Sequence, residues 1–178
     1  MPTLPIAPAS LHLLRLRLES EGVDPAGILT PAGAATGHAL AARWTGFVRD
    51  RAGLEDAAHL DARWFGPLLQ EFLAADGWGD VVTSDLAGTA VLLESRNAAE
   101  ADPDSATAPG CHFTAGMLAA LLGDIAGESL AFLEVSCRSA GDDACGFLVS
   151  SAEVIAAASD LLAAGGSWRE AVDPLVRG

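Results

Sequence analysis

The sequence predicts an α+β fold, an antiparallel sheet of about four strands packed with helices. Three observations carry this. Apolar residues recur at helical spacing over roughly the first 76 residues; two β-rich pairs of runs then interrupt that period; and a helical segment separates the pairs. The resulting order is helices, two strands, helix, two strands, helices.

Residues 1–9, "MPTLPIAPA", read as a flexible proline-rich arm ahead of one domain spanning 10–178. Within it, helices occupy 10–76, the sheet and its metal-binding core 77–150, and C-terminal helices 151–176. Ser10 is placed to cap a first helix whose Leu11, Leu14 and Leu18 share a face, with Arg15, Arg17 and Glu19 toward water. Gly22 stops it. A short turn-helix precedes a longer helix over about 32–50, where the small residues Gly33, Ala34 and Gly37 admit a close backbone neighbour. Asp61 caps "ARWFGPLLQEFLAADG", whose Phe65, Leu68, Leu69, Phe72 and Leu73 form an apolar stripe, with Pro67 as a kink or start.

"GDVVTSDLAG" and "GTAVLLESR" alternate as strands around Gly88 and pair antiparallel. A polar loop, "NAAEADPDSATAPG", leads to the helix "CHFTAGMLAALLGDIAGE". The strands "SLAFLEVSCR" and "DACGFLVSS" are joined by a Gly-Asp-Asp turn, and two Ala-rich helices close the chain. The acidic residues of "EAD" and "GDD" read as solvated surface, with Asp142 and Asp143 serving the turn and Gly141 supplying its positive φ.

Charge excludes some partners. A formal net charge of -14, with ten arginines and no lysine, cannot neutralise phosphates along a nucleic acid or an anionic lipid surface. No positively charged leader and no long uncharged apolar run occur, so the reading is a cytoplasmic protein with neither nucleic acid nor membrane as partner. In a reducing compartment, three cysteines do not suggest a disulfide framework.

Those three cysteines are the most informative residues. Cys111 falls at a helix N-terminus, where backbone amides favour a thiolate. Cys137 ends one strand and Cys145 begins the next, and Glu134 precedes Cys137 by three residues. Three thiolates and a carboxylate would complete a tetrahedral zinc shell. Alternation along a strand opposes this, because residues 134 and 137 point to opposite faces unless a bulge intervenes or the strand ends near Ser136. Three reduced cysteines packed as small hydrophobes satisfy the spacing equally, and His112, Asp142 and Asp143 rival Glu134 as fourth ligand.

The stretch "CHFTAGMLAALLGDIAGESLAFLEVSCRSAGDDACGFLVS" resembles the vinyl-4-reductase domain, whose pattern runs Cys, helix, E-x-x-C, a glycine-centred turn and C-x-F. "GWGDVVTSDLAGTAVLLESRNA" is similar to the strands that precede it there, so the resemblance spans about residues 60–150. It implies a fold akin to NO-signalling and Golgi-transport ligand-binding domains, shared with vesicle-tethering subunits. In aromatic-sensing bacterial regulators with this domain, three cysteines and a glutamate hold zinc. The motif falls on Cys111, Glu134, Cys137 and Cys145, implying a closed, structural zinc site.

The resemblance also implies a hydrophobic ligand, aromatic or tetrapyrrole, between helices and sheet, oriented in the sensors by a His and a Trp. The candidates are His59, Trp64, Phe65, Leu68, Phe72, Trp78 and Phe113, with Trp64 foremost because His59 and Arg63 flank it; His38 and Trp44 lie on the preceding helix. The same phenylalanines and leucines also serve as plain core. Three functions follow. The first is a carrier or sensor, which would signal through a protein partner since no ATPase or DNA-binding segment accompanies it. The second is an accessory or catalytic factor in reducing a (bacterio)chlorophyll-precursor vinyl group. No GxGxxG after a strand and no phosphate loop support that reading, and no catalytic residues are assigned. The third is a homodimeric scaffold, pairing through the first helix and the Gly33–Gly37 stretch. A homodimer is expected.

Overall fold

A computed structural model describes residues 8–86, 88–104 and 109–176. The arm at residues 1–7 and part of the polar loop, 105–108, lie outside the described residues. The helices are α1 (Pro8–Ser20), α2 (Pro25–Ala52), α3 (Ala62–Ala75), α4 (His112–Ala126), α5 (Ala152–Ala163) and α6 (Arg169–Val176). The strands are β1 (Val81–Leu86), β2 (Ala90–Ser95), β3 (Ala131–Ser136) and β4 (Cys145–Ser150). They form one antiparallel sheet in the order β1-β2-β4-β3. Both hairpins read from the sequence are present; the β2–β4 pairing that joins them is long-range.

Side-chain alternation divides the apolar residues between two layers. On one face, Leu93, Phe147 and Val149 meet α2, α3 and α4 through Leu40, Trp44, Leu69, Phe72, Met117 and Leu121. On the other, Ala90, Leu92 and Leu148 are covered by Ile155 and Ala158 of α5 and by Trp168 and Val172 at α6. β4 is therefore buried along its whole length, as its unbroken apolar run requires.

Helix ends follow local chemistry. Asp24 and Asp61 accept from the amides of Ala26 and Arg63, at 3.1 and 3.0 Å, and Gly53 ends α2 in the left-handed region. α2 corrects the two-helix reading of its segment, for it runs unbroken through Pro31. A proline forfeits one amide bond, and the packing of α2 on α4 offsets that loss. At the contact, a Cβ on Gly33 would overlap the Phe113 carbonyl, one on Gly37 the Met117 carbonyl, and one on Gly116 the Thr30 carbonyl. The small-residue stretch thus receives a helix of its own chain. That removes it as a surface for a second copy.

α1 starts at Pro8, ahead of the expected Ser10 cap, and is set the other way round from the expected amphipathic helix. Arg15 is 1% exposed, whereas Leu14 is 45% exposed. Among the described residues, no helix is long and apolar enough to cross a membrane.

Candidate metal centre

β3 and β4 bring Glu134, Cys137 and Cys145 to one end of the sheet, and α4 delivers Cys111 to the same point. The obstacle posed by strand alternation is removed by the backbone. Glu134 pairs with Phe147 and Ser136 with Gly146, so Val135 is bulged out and β3 ends at Ser136. Glu134 and Cys137 therefore converge. A tight turn then closes on Cys145: the Cys137 carbonyl accepts from the amides of Ala140 and Asp142, at 2.9 and 3.2 Å, and Asp142 Oδ2 accepts from the Cys137 amide at 2.7 Å. Gly141 takes φ 99°, which a side chain would oppose. The Arg138 amide donates to Cys145 Sγ at 3.4 Å.

One ligand atom from each of Cys111, Glu134, Cys137 and Cys145 lies within 4.8 Å of the others, and all three cysteines are buried and unbridged. Cys111 Sγ is 3.7 Å from both Cys137 Sγ and Cys145 Sγ. Sulfurs at the corners of a tetrahedron about 2.3 Å from its centre stand about 3.8 Å apart, so the thiols already have zinc spacing. Glu134 Oε2 accepts from the Cys111 amide at 3.0 Å, while buried Oε1 has no hydrogen-bond partner. An orphaned carboxylate oxygen beside three sulfurs is a ready fourth donor for a cation. The donor set fits a divalent soft-to-borderline cation, with the four residues filling a closed shell. His112, Asp142 and Asp143, the rival fourth ligands, stand outside the cluster.

Without a cation the four acids share little charge. Cys137 is held far below the usual thiol range by hydrogen bonds from Cys111 and then Cys145. Cys111 is pushed far up by its hydrogen bonds to Cys137 and Cys145 and by burial. For Cys145 the hydrogen bond with Cys111 pulls down, but that with Cys137 and burial outweigh it, raising the thiol to about 12. Burial, then the Cys137 charge, raises Glu134 to about 8. Burial penalises accumulated charge, and a bound cation would lift that penalty.

Glu100 completes the frame. Cys111 occupies the N-cap of α4 with no side-chain cap bond, leaving its sulfur to the cluster. The capping falls instead to Glu100, which accepts from the amides of Phe113 and Thr114, at 3.1 and 2.8 Å, and from Thr114 Oγ1 at 3.0 Å. It is 0% exposed, which corrects the reading of "EAD" as surface; burial raises its pKa despite those donors. Nothing in the local sequence distinguishes Glu100 from its acidic neighbours.

The expected ligand residues fall into three places. Phe65 and Phe72 gather around Trp44, with ring centroids 5.8 and 5.4 Å away, and Leu68 packs against the same core. Trp78 stacks on Phe113 at 5.6 Å. His59 lies at the surface beside Asp56, and Trp64 is 54% exposed under the Arg63 guanidinium. Two surface cavities border α2 and α4, and none of these seven residues lines either. One, of about 390 Å³, is lined by His38, Trp44, Thr45, Asp56 and Ile125 among others; the second, of about 660 Å³, lies along Thr30, Gly116, Gly123 and Leu130. His38 and Asp124 line both, joined at 2.7 Å between His38 Nδ1 and Asp124 Oδ2.

Residues 94–151 match the sequence profile of the vinyl-4-reductase domain. No curated protein sequence matches the chain. Among solved structures, it is similar to the phenol-responsive sensory domain of the transcription activator PoxR, solved with phenol: 16% identity over 85% of this chain and 77% of that one, TM-score 0.60. It is also similar to a vinyl-4-reductase family protein from Methanocaldococcus jannaschii, with 19% identity over 84% of this chain and 83% of that one, TM-score 0.53. The chain has the fold of these proteins, and the segment that matches the vinyl-4-reductase domain, 94–151, holds all four residues of the cluster.

Proposed function

We propose that this protein is a zinc-clamped small-molecule-binding domain that acts as a sensor or carrier. The observation that carries the reading is the cluster itself, three sulfurs at zinc spacing beside a buried carboxylate oxygen without a partner. With four protein ligands the site has no open position for substrate, so the metal's role is to tie α4 to the β3–β4 hairpin. Its chemistry when bound is charge neutralisation of the four acids. Reduced thiols of this kind suit the cytoplasm.

The ligand would enter the cavity between α2 and α4. It offers the edge of Trp44, the apolar Ala41 and Ile125, and a polar pair in His38 and Asp124, the mix by which pockets hold and orient an aromatic alcohol. The phenol response of the PoxR domain, on the same fold, supports this chemical class. The test is titration of the zinc-loaded chain with phenol, followed by tryptophan fluorescence. Saturable quenching that His38→Ala weakens is expected. A spectrum indifferent to phenol would remove this ligand class.

A second reading, homodimerisation, draws on Leu13 and Leu14 of α1, 63% and 45% exposed. Light scattering at micromolar concentration would return a dimer mass, and a monomer mass would refute it.

A further inference from the structure

A docked helix ordinarily turns its apolar stripe inward. α1 does otherwise: over residues 10–20 the buried side chains are Leu11, His12 and Arg15, while Leu13 and Leu14 face out. Burying an arginine is costly unless its charge is matched, so these polar side chains have a specific purpose.

Both reach chain segments that carry the cluster's residues. The Arg15 guanidinium lies so close over Gly110 that a Cβ there would collide with it, and Gly110 immediately precedes Cys111. His12 Nε2 lies 3.0 Å from Asp102 Oδ2. The Asp102 amide in turn donates to Ser139 Oγ at 2.9 Å, and Ser139 is fully buried in the turn between Cys137 and Cys145. Arg15 thus bears on the Cys111 side of the cluster, and His12, through Asp102 and Ser139, on the hairpin side. His12 and Arg15 also face each other at 3.4 Å.

We propose that α1 is a positioning element of the metal centre: Arg15 and His12 hold the two segments that supply its ligands, so docking of α1 and occupancy of the site stabilise one another. The inference rests on the zinc reading above. A divalent cation held by three thiolates and a carboxylate keeps a net charge of minus two in buried surroundings, and Arg15 is a buried cation beside the residue that precedes Cys111. Through this link the state of the centre reaches Leu13 and Leu14 on the outer side of α1.

The experiment uses the full chain and zinc alone. Hydrogen exchange is compared between zinc-loaded protein and protein stripped with a chelator. Stripping should speed exchange of the α1 amides while leaving those of α5, on the opposite face of the sheet, unchanged. Zinc affinity is measured by competition with a chromophoric chelator. Arg15→Met should lose about 10- to 100-fold, the usual cost of removing an outer partner of a metal site. Arg15→Lys, which keeps the charge, should recover part of that loss, and Leu11→Ala, which weakens only packing, should bind zinc as the wild type does. α1 exchange indifferent to zinc, or unchanged affinity in folded Arg15→Met, would overturn the proposal while leaving the zinc reading intact. Failure of the wild type to take up zinc would overturn the zinc reading itself, and this inference with it.

Discussion

Glu134 Oε2 accepts a hydrogen bond from the Cys111 amide at 3.0 Å, while the same carboxylate's Oε1 is buried with no hydrogen-bond partner. One oxygen is fixed by the backbone at the start of α4 and the other is left for a ligand. Glu134→Gln keeps the shape and the first hydrogen bond but removes the anionic donor. Zinc affinity in a chelator competition should fall by about 100-fold or more, exceeding the loss of an outer partner. An affinity equal to that of the wild type would remove Glu134 from the shell.

The same carboxyl makes metal-free stability depend on pH. Its folded pKa, about 8, lies above the ordinary 4.5, so the folded state binds the proton more tightly than the unfolded chain. The stabilisation this brings is complete below pH 4.5 and is lost as pH rises toward 8, at about 1.4 kcal/mol per unit within the window. Urea denaturation of the chelated protein should show this decline between pH 5 and 8, and Glu134→Gln should flatten it. A metal-free protein equally stable across that range would contradict the assignment.

Metal binding should release protons in a defined number. Cys137 is already a thiolate in the metal-free cluster, whereas Cys111, Cys145 and Glu134 hold their protons at neutral pH. Zinc titration calorimetry in buffers of different ionisation enthalpy should give about three protons released near pH 7. Release of one or none would mean that the thiols do not bind the cation.

The α2–α4 contact predicts opposite outcomes for two alanine substitutions in one helix. Gly33→Ala places a methyl group into the Phe113 carbonyl and should destabilise by about 1–3 kcal/mol. Gly46→Ala meets open space in the same helix and should stabilise by about 0.5–1 kcal/mol. Denaturant midpoints measure both, and a neutral Gly33→Ala would contradict the close approach.

Glu100→Ala should cost about 1–3 kcal/mol by orphaning buried donors at the N-terminus of α4. It should also speed exchange of the Phe113 and Thr114 amides. Wild-type protection of those amides would show that another group caps the helix.

Patterns that are local in sequence can be read directly. The hairpins, the Asp61 cap and the convergence of Cys137 and Cys145 follow from alternation, turn chemistry and capping rules over a few residues. The Glu134–Cys137 spacing marks the one place where the strand has to break its own period, and the bulge lies there. What escapes depends on tertiary partners. Arg15 looks like a solvent-facing residue until loop 97–111 lies against it, and Glu100 is one acid in a run of acids until α4 needs a cap. The His38–Asp124 pair joins residues 86 apart, and neither carries a local sign of the other. The Gly33–Gly37 stretch does announce a close neighbour, but composition alone does not say whether that neighbour belongs to the same chain.

Whether Cys111, Glu134, Cys137 and Cys145 hold a structural metal is decided by native mass spectrometry of the full chain, purified under mild reducing conditions without chelator. One zinc ion per chain is expected, with all three thiols protected from alkylation until a chelator is added. A metal-free mass with three freely alkylated thiols would refute the metal centre.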